Sequence, residues 1–214
     1  MSIRNNNHLV KDLFSKEQLY DLKDKIYTYY DKTPKVRVDL EEIKSKGYPK
    51  DGIMIQDWSG RSTFDATPFL SKDIKKTLED YVLSYGNDIV WSTCLFVRYS
   101  KDFGVPFLGP HLDDHDTNFT IDYQLDSNTN WDIVVEGKTY SLENNHAVVF
   151  SPSEQIHWRP PKRFNDTEYV DMLLCYFTTT ANSLKLTTEE KRSIAKKYNL
   201  EYEQEHQKTM NGEL

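Results

Sequence analysis

The sequence contains only two cysteines among 214 residues, and both lie inside apolar segments rather than in loops. Cys94 is part of WSTCLFVRY and Cys175 is part of YVDMLLCYF, so we expect two buried thiols in a reducing compartment and no disulfide scaffold. No stretch approaches the roughly 18 apolar residues that a membrane span requires. The opening segment, MSIRNNNHLVKDLF, also lacks the apolar core of a signal peptide. We therefore expect a cytoplasmic protein that engages no membrane.

Positive charges are outnumbered, because the sequence has 27 lysines and arginines but 34 aspartates and glutamates, which gives a net charge of -7. Nucleic-acid phosphates would on average be repelled, so we expect no nucleic-acid partner. Aromatic residues, by contrast, are abundant, with 14 tyrosines and 10 phenylalanines. Disordered chains are poor in aromatics, so this composition predicts a globular protein with one sizeable core.

Three segments carry helix signals. In LFSKEQLYDLKDKIYTYY, Ser15 can cap a helix and Gln18 completes a capping box before apolar residues at helical spacing. In LSKDIKKTLEDYVLSYGN, Ser71 is the candidate cap. In LTTEEKRSIAKKYNL, Thr187 and Glu190 form another capping box, and the thin apolar face predicts a helix on the surface.

From about residue 90 to residue 180 the pattern changes to short β-branched and aromatic segments separated by turn residues. They are WSTCLFVRY, NFTIDYQL, WDIVVEG, KTYSL, HAVVF and YVDMLLCYF. Many short strands at this spacing predict an antiparallel sandwich or barrel. We expect one mainly β domain with flanking helices over residues 1–214. It would comprise a helical N-terminal support with a candidate substrate lid (1–88), a β-core (89–180) and a C-terminal helical tail (181–214).

The segment GPHLDDHD packs two histidines and three aspartates behind a Gly-Pro pair. If it is extended, side chains two apart share a face, so His111 and Asp113 point one way and Leu112 points the other way, into the core. Residues 114–116 are then left as loop or as neighbours of the site. The alternative is that the whole segment is a solvated loop, because polar clusters after Gly-Pro are usually turns.

A metal site built on this pair needs a third ligand from elsewhere in the chain. His157 stands out because it lies in IHWRPP, a short extended piece between two predicted strands. Two histidines and one carboxylate on one face of a metal leave three adjacent coordination positions open, which suits non-haem Fe(II) with a co-substrate and O2. Sites made of histidine or cysteine alone enclose the ion instead, as in structural zinc sites.

The stretch FVRYSKDFGVPFLGPHLDDHDTNFTIDYQL, followed by NNHAVVFSPSEQIHWRPP, resembles the Fe(II)/2-oxoglutarate-dependent oxygenases of the prolyl-4-hydroxylase-like branch. The resemblance covers roughly residues 90–178. It implies an α+β protein with a double-stranded β-helix core, a cupin-like jelly roll, in which His111, Asp113 and His157 bind the catalytic metal. The implied cofactors are Fe(II), 2-oxoglutarate as co-substrate, and O2. The implied reaction hydroxylates a C–H bond of a peptidyl or small-molecule substrate and releases succinate and CO2.

In many members of this family, a basic residue at the start of the last core strand binds the far carboxylate of 2-oxoglutarate. Here that position, 170–171, holds valine and aspartate. The nearest candidate is Arg159, which lies two residues beyond His157 and so on the same face of an extended strand, and its forked guanidinium suits a carboxylate. Lys162 and Arg163 are the alternatives. Stacking of Arg159 on a tryptophan is an equally good interpretation.

By the same resemblance, Tyr99 of the RY pair is expected to hydrogen-bond the co-substrate, with Tyr123 as a second choice. An ordinary core tyrosine is the competing interpretation for Tyr99. Two other functions stay open at this point: a cupin-fold metalloenzyme that does not use 2-oxoglutarate, and a non-catalytic metal-binding cupin module. The sequence specifies neither the substrate nor the oligomeric state.

Overall fold

The structure is a computed structural model that describes residues 7–39, 52–86, 88–113, 117–160, 162–179 and 187–198. Within these ranges the chain forms α1 (Lys16–Lys32), α2 (Lys72–Leu83) and α3 (Thr188–Lys197). All three lie where the capping signals predict helices. Among the described helices, none combines the length and the apolar character needed to cross a membrane.

The β-structure consists of a large sheet and a small sheet. The strands are β1 (His8–Val10), β2 (Lys35–Arg37), β3 (Ile53–Gln56), β4 (Arg61–Asp65), β5 (Ile89–Ser100), β6 (Leu108–His111), β7 (Phe119–Ser127), β8 (Ile133–Val135), β9 (Lys138–Tyr140), β10 (His146–Phe150), β11 (His157–Arg159) and β12 (Tyr169–Thr179). The eight-stranded sheet has the order β1-β10-β7-β12-β5-β4-β3-β2, and the four-stranded sheet has the order β6-β11-β8-β9. This arrangement confirms the predicted mainly β jelly roll.

The N-terminal part contains more β-structure than the sequence pattern predicts. Strands β1 to β4 come from this part and extend the large sheet, with β4 pairing antiparallel to β5 and β3 pairing antiparallel to β4. They have only three to five residues each. Strands of three to five residues are too short to show a clear periodic signal in the local sequence, and β1 and β4 are held by β10 and β5, which are distant along the chain.

The two faces of the large sheet pack against different layers. Helix α1 starts at Ser15, whose side chain accepts a hydrogen bond from the backbone of Gln18 at 3.2 Å while the Gln18 side chain accepts one in return at 2.9 Å. One core cluster joins α1 and α2 to one face, where Phe96 and Leu173 are buried. A second cluster, which includes Val97 and residues of the small sheet, lies on the other face. The space between the two sheets is therefore the interior of the jelly roll.

The two cysteines face each other across β5 and β12, where Cys94 and Cys175 are paired in register. Their sulfur atoms are 3.6 Å apart, and both side chains are buried and free of disulfide bonds. Burial, reinforced by the neighbouring thiol, raises the pKa of Cys94. The two buried thiols predicted from the sequence are confirmed.

An ion pair joins β5 to β12 within the large sheet, and a tyrosine of α1 hydrogen-bonds to its carboxylate. The Arg98 guanidinium donates two hydrogen bonds, of 2.7 and 2.6 Å, to the fully buried carboxylate of Asp171, and Tyr27 donates a third at 2.9 Å. Burial raises the pKa of Asp171, and the hydrogen bond and charge of Arg98 oppose that rise. The negative charge of Asp171 therefore depends on Arg98 for compensation.

We expect Arg98→Met to lower the free energy of unfolding by about 3–5 kcal/mol, because it leaves the buried carboxylate of Asp171 without its cation. Urea denaturation followed by circular dichroism measures the change. The matched control is Lys101→Met, since Lys101 pairs with the exposed Asp166 and such pairs contribute less than about 1 kcal/mol. Equal losses in the two variants would contradict the prediction.

Candidate metal centre

The strand register brings His111 and His157 side by side. Strands β6 and β11 are antiparallel neighbours in the small sheet, with His157 directly opposite His111 and the ring centroids 4.1 Å apart. The carboxylate of Asp113 lies 3.3 Å from Nε2 of His111 and 3.8 Å from Nε2 of His157. All three ligand atoms lie within 4.8 Å of one another. Two donors each about 2.1 Å from one ion are at most about 4.2 Å apart, so the separations of 3.3 and 3.8 Å from Asp113 already suit a shared metal, and a small approach within the triad would complete the site.

Backbone carbonyls orient both imidazoles. Nδ1 of His111 donates to the carbonyl oxygen of Gly109 at 2.8 Å, and Nδ1 of His157 donates to that of Gln155 at 3.1 Å. A carbonyl oxygen can only accept, so the hydrogen is on Nδ1 and the lone pair of each Nε2 is available for a metal. The backbone N–H of Asp113 donates to the carbonyl of Pro152 at 2.9 Å, which ties this ligand to the turn before β11.

The ionisation states of the site also suit a metal. Burial would raise the pKa of Asp113, but its close contact with the His111 imidazole and the positive groups nearby lower it to about 2. Burial, together with the charge of His111, lowers the pKa of His157 to about 4. At neutral pH the site therefore presents a charged carboxylate and a neutral imidazole, the forms that bind metal ions.

Strand alternation acts on this segment as the sequence predicts. Leu112 points away from the two ligands and is buried with Ile156 and Ala195 of α3, so the thin apolar side of this helix covers the outside of the small sheet. Ile156 immediately precedes His157. Each strand end that carries a ligand is thus anchored by a buried aliphatic neighbour on its opposite face. Residues 114–116, expected to form a loop, lie outside the described residues.

No protein-family model matches this sequence, and no match was found among curated proteins. The fold, however, is shared with solved structures. A prolyl hydroxylase from Trichoplax adhaerens, in complex with a hypoxia inducible factor peptide fragment, superposes with a TM-score of 0.55 at 12% identity, covering 81% of this chain and 84% of that chain. A prolyl-4-hydroxylase from Pseudomonas putida gives 0.54 at 12% identity, with 82% and 94% covered. An alpha ketoglutarate dependent epimerase of nogalamycin biosynthesis gives 0.55 at 9% identity, with 81% and 78% covered. The chain has the fold of the 2-oxoglutarate–Fe(II) oxygenases.

In this oxygenase fold, Arg159 lies in the interior between the two sheets. Its side chain is only 2% exposed, and its guanidinium donates to the backbone carbonyl of Trp131, contacts the sulfur of Met172 at 3.4 Å, and lies 4.9 Å from the Trp131 ring centroid. Tyr99 is also buried and packs edge-on against the same tryptophan, with centroids 4.9 Å apart. Two of the residues predicted to bind a co-substrate therefore meet at one aromatic side chain.

The two residues that stand where many oxygenases carry a basic residue, Val170 and Asp171, point to opposite faces of β12. Val170 belongs to the interior cluster, whereas Asp171 faces α1 and binds Arg98. The neighbouring interior residue on β12 is Met172, which Arg159 contacts from β11. The positive charge of Arg159 thus reaches β12 from β11, a strand of the small sheet. Lys162 instead binds a surface turn through Asn130 at 2.8 Å.

Tyr123 is not brought to this site. It lies in the core cluster beneath the helices, where its hydroxyl donates to Asn145 at 3.0 Å and its ring packs on Phe14. Strand alternation on β7 instead places Asp122 on the inner face of the large sheet, where the charge of the candidate ligand Asp113 acts on it. Burial, with that charge, raises the pKa of Asp122 to about 7. The alternation of side chains in NFTIDYQL could have indicated this buried acid, because Asp122 and Tyr123 are neighbours and must point to opposite faces of the strand.

Proposed function

We propose that the protein is a non-haem Fe(II)/2-oxoglutarate-dependent dioxygenase that hydroxylates a C–H bond of a small-molecule or peptidyl substrate. The observation that carries the proposal is the convergence of His111, Asp113 and His157 within 4.8 Å, in a fold shared with such oxygenases. These three residues would bind one face of the iron and leave its other coordination positions open for the co-substrate and O2. When bound, the iron supplies the oxidation of the substrate, coupled to conversion of 2-oxoglutarate and O2 to succinate and CO2.

The remaining interior residues have a binding role in this proposal. Arg159 would bind the far carboxylate of 2-oxoglutarate, since a buried guanidinium offers a planar fork of donors that matches a carboxylate. Tyr99, which packs against the same Trp131 ring, would donate a hydrogen bond to the co-substrate. The ring of Phe150 lies 4.8 Å from that of His157 and would shield this imidazole from water. A dry site of low dielectric constant would strengthen the hydrogen bonds to the co-substrate.

A cupin metalloenzyme that does not use 2-oxoglutarate is the second candidate. One observation favours it: Val170 stands where many relatives carry a base, and the Arg159 guanidinium already donates to a backbone carbonyl. In that case the interior arginine would be a structural residue, held by Trp131 and Met172, and the metal site would act on its substrate without a keto-acid partner.

An anaerobic titration with Fe(II) and 2-oxoglutarate separates the two candidates. We expect a weak visible charge-transfer band as 2-oxoglutarate chelates the bound iron, and succinate formation once O2 is admitted. Mass spectrometry of the acid products measures the second result. Iron binding without the band and without succinate would favour the second candidate, and the absence of iron binding would overturn both.

A further inference from the structure

A cavity of about 650 Å³ lies on the inner face of the large sheet. Strands β3, β4, β5 and β12 form its floor, and residues before α2 form its rim. Its apolar walls include Tyr29, Met54, Phe64, Phe69, Val97 and Leu174. Its volume lies within the ~300–1,000 Å³ range of small-molecule sites. An apolar body of modest size can therefore be accommodated.

The end of this cavity that carries Arg61 lies next to the segment leading to the metal ligands. Gly60 has a left-handed backbone (φ 56°), and a Cβ added there would come within 2.3 Å of the backbone nitrogen of Pro106. The backbone N–H of Phe107 also donates to the carbonyl of Ser59 at 3.2 Å. The turn into β4 thus packs directly on the approach to β6, which ends at His111.

Thr63 provides an independent sign of a ligand. Its side chain is 4% exposed and lines the cavity, and its hydroxyl has no hydrogen-bond partner within the part of the chain that the structure describes. Buried hydroxyls nearly always have a partner, since an unpaired one is costly. Alternation along β4 places Thr63, two residues after Arg61, on the same face of the strand. The two side chains therefore address the same ligand group.

The charges of the cavity specify that group. Of the described residues that line it, Arg61 is the one cation and Asp65 the one carboxylate, about 13 Å apart along β4 by strand spacing. Gln56 accepts a hydrogen bond from Nε of Arg61 and so orients the guanidinium. One oriented arginine matches a planar monocarboxylate, whereas a doubly charged phosphate would call for further cations. Asp65 disfavours a second negative charge at the far end.

We propose that this cavity binds the primary substrate, and that the substrate is a small monocarboxylate with an apolar body, held through its carboxylate by Arg61 and Thr63. The role of this ligand as a substrate rests on the proposed oxygenase function, whereas its binding to the cavity does not. Because Arg61 lies at the end of the cavity near the metal ligands, the carbon that is oxidised lies close to the carboxylate rather than at the far end of the apolar body.

Ligand-observed NMR on the Zn(II)-loaded protein with saturating 2-oxoglutarate tests the proposal. The probes are hexanoate, 4-phenylbutanoate, leucine and phenylalanine, each compared with its carboxamide. We expect the acids to bind more tightly than the amides. Arg61→Met should weaken acid binding about 10- to 100-fold, as the loss of a charge-assisted pair predicts, and Arg61→Lys should retain part of it. Thr63→Val should weaken it about fivefold, as the loss of one hydrogen bond predicts.

Arg37→Met is the matched control, because Arg37 pairs with the exposed Asp57 and does not line the cavity. Equal binding of acids and amides, wild-type affinity in Arg61→Met, or no binding by any acid would overturn the proposal. Loss of the 2-oxoglutarate charge-transfer band in Arg61→Met, with acid binding unchanged, would also overturn it by assigning Arg61 to the co-substrate. Failure of the oxygenase function has a different signature: the wild-type protein shows no band and no succinate, yet acid binding still depends on Arg61.

Discussion

We expect Asp113→Ala to abolish succinate formation and to weaken Fe(II) binding by more than about 100-fold, since even residues that merely orient metal ligands are worth 10- to 100-fold. Asp113 is the carboxylate of the candidate triad, and its oxygen lies near both imidazoles, at 3.3 and 3.8 Å. Without it, His111 and His157 offer two neutral donors and no compensating negative charge. Two neutral imidazoles make a weak site for Fe(II), which prefers a carboxylate beside two histidines.

The experiment measures iron content and affinity under anaerobic conditions, followed by succinate after O2 is admitted. Asp102→Ala is the matched control, because Asp102 is an exposed aspartate on the connection between β5 and β6. We expect Asp102→Ala to behave as the wild type. If Asp113→Ala bound iron as tightly as this control, the metal centre would have to be sought among other residues.

The second large effect concerns Arg159. We expect Arg159→Met to raise the 2-oxoglutarate concentration needed for half-maximal succinate formation about 10- to 100-fold, the loss expected for a charge-assisted, bidentate hydrogen bond to a carboxylate. Iron affinity should stay at the wild-type level, because the metal donors are on other side chains. This separation of the two affinities is the signature of a co-substrate residue, which a residue that only stabilises the interior would not produce.

Because Arg159 is buried, its variants need a check of folding. Arg159→Lys keeps a charge but loses the planar fork, so we expect it to fall between the wild type and Arg159→Met. Lys162→Met is the control from the adjacent turn, and thermal unfolding of all three variants reports their stability. An unchanged 2-oxoglutarate dependence in a folded Arg159→Met would refute this assignment, and a loss in Lys162→Met would transfer the role to that lysine.

Much of the fold could be predicted because its signals are local. The capping boxes at Ser15 and Thr187 involve partners three residues away, so the starts of α1 and α3 are visible in a short window of sequence. Alternation places His111 and Asp113 together and Leu112 opposite for the same reason. The buried cysteines follow from the apolar segments around them. In each case the physical cause lies within a few residues.

The parts that could not be predicted depend on contacts between distant segments. Tyr123 lies under the helices because β7 presents its odd-numbered side chains to that layer, and the sequence does not state which face meets which layer. The short strands β1 to β4 exist because they pair with the large sheet. Thr63 becomes an unpaired buried hydroxyl only through the packing of β4.

The sequence by itself determined the class of chemistry: two histidines and an aspartate of the right types, on segments whose alternation and spacing favour a β-barrel metal site. Only the tertiary structure decided that His157 lies opposite His111, because strand register is set by pairing across the sheet rather than by local composition. Likewise, only the packing of two sheets decided that Arg159 is an interior cation and that Arg61 lines a cavity on the inner face of the large sheet. A side chain's chemical type is local information, whereas its environment depends on residues brought close by folding.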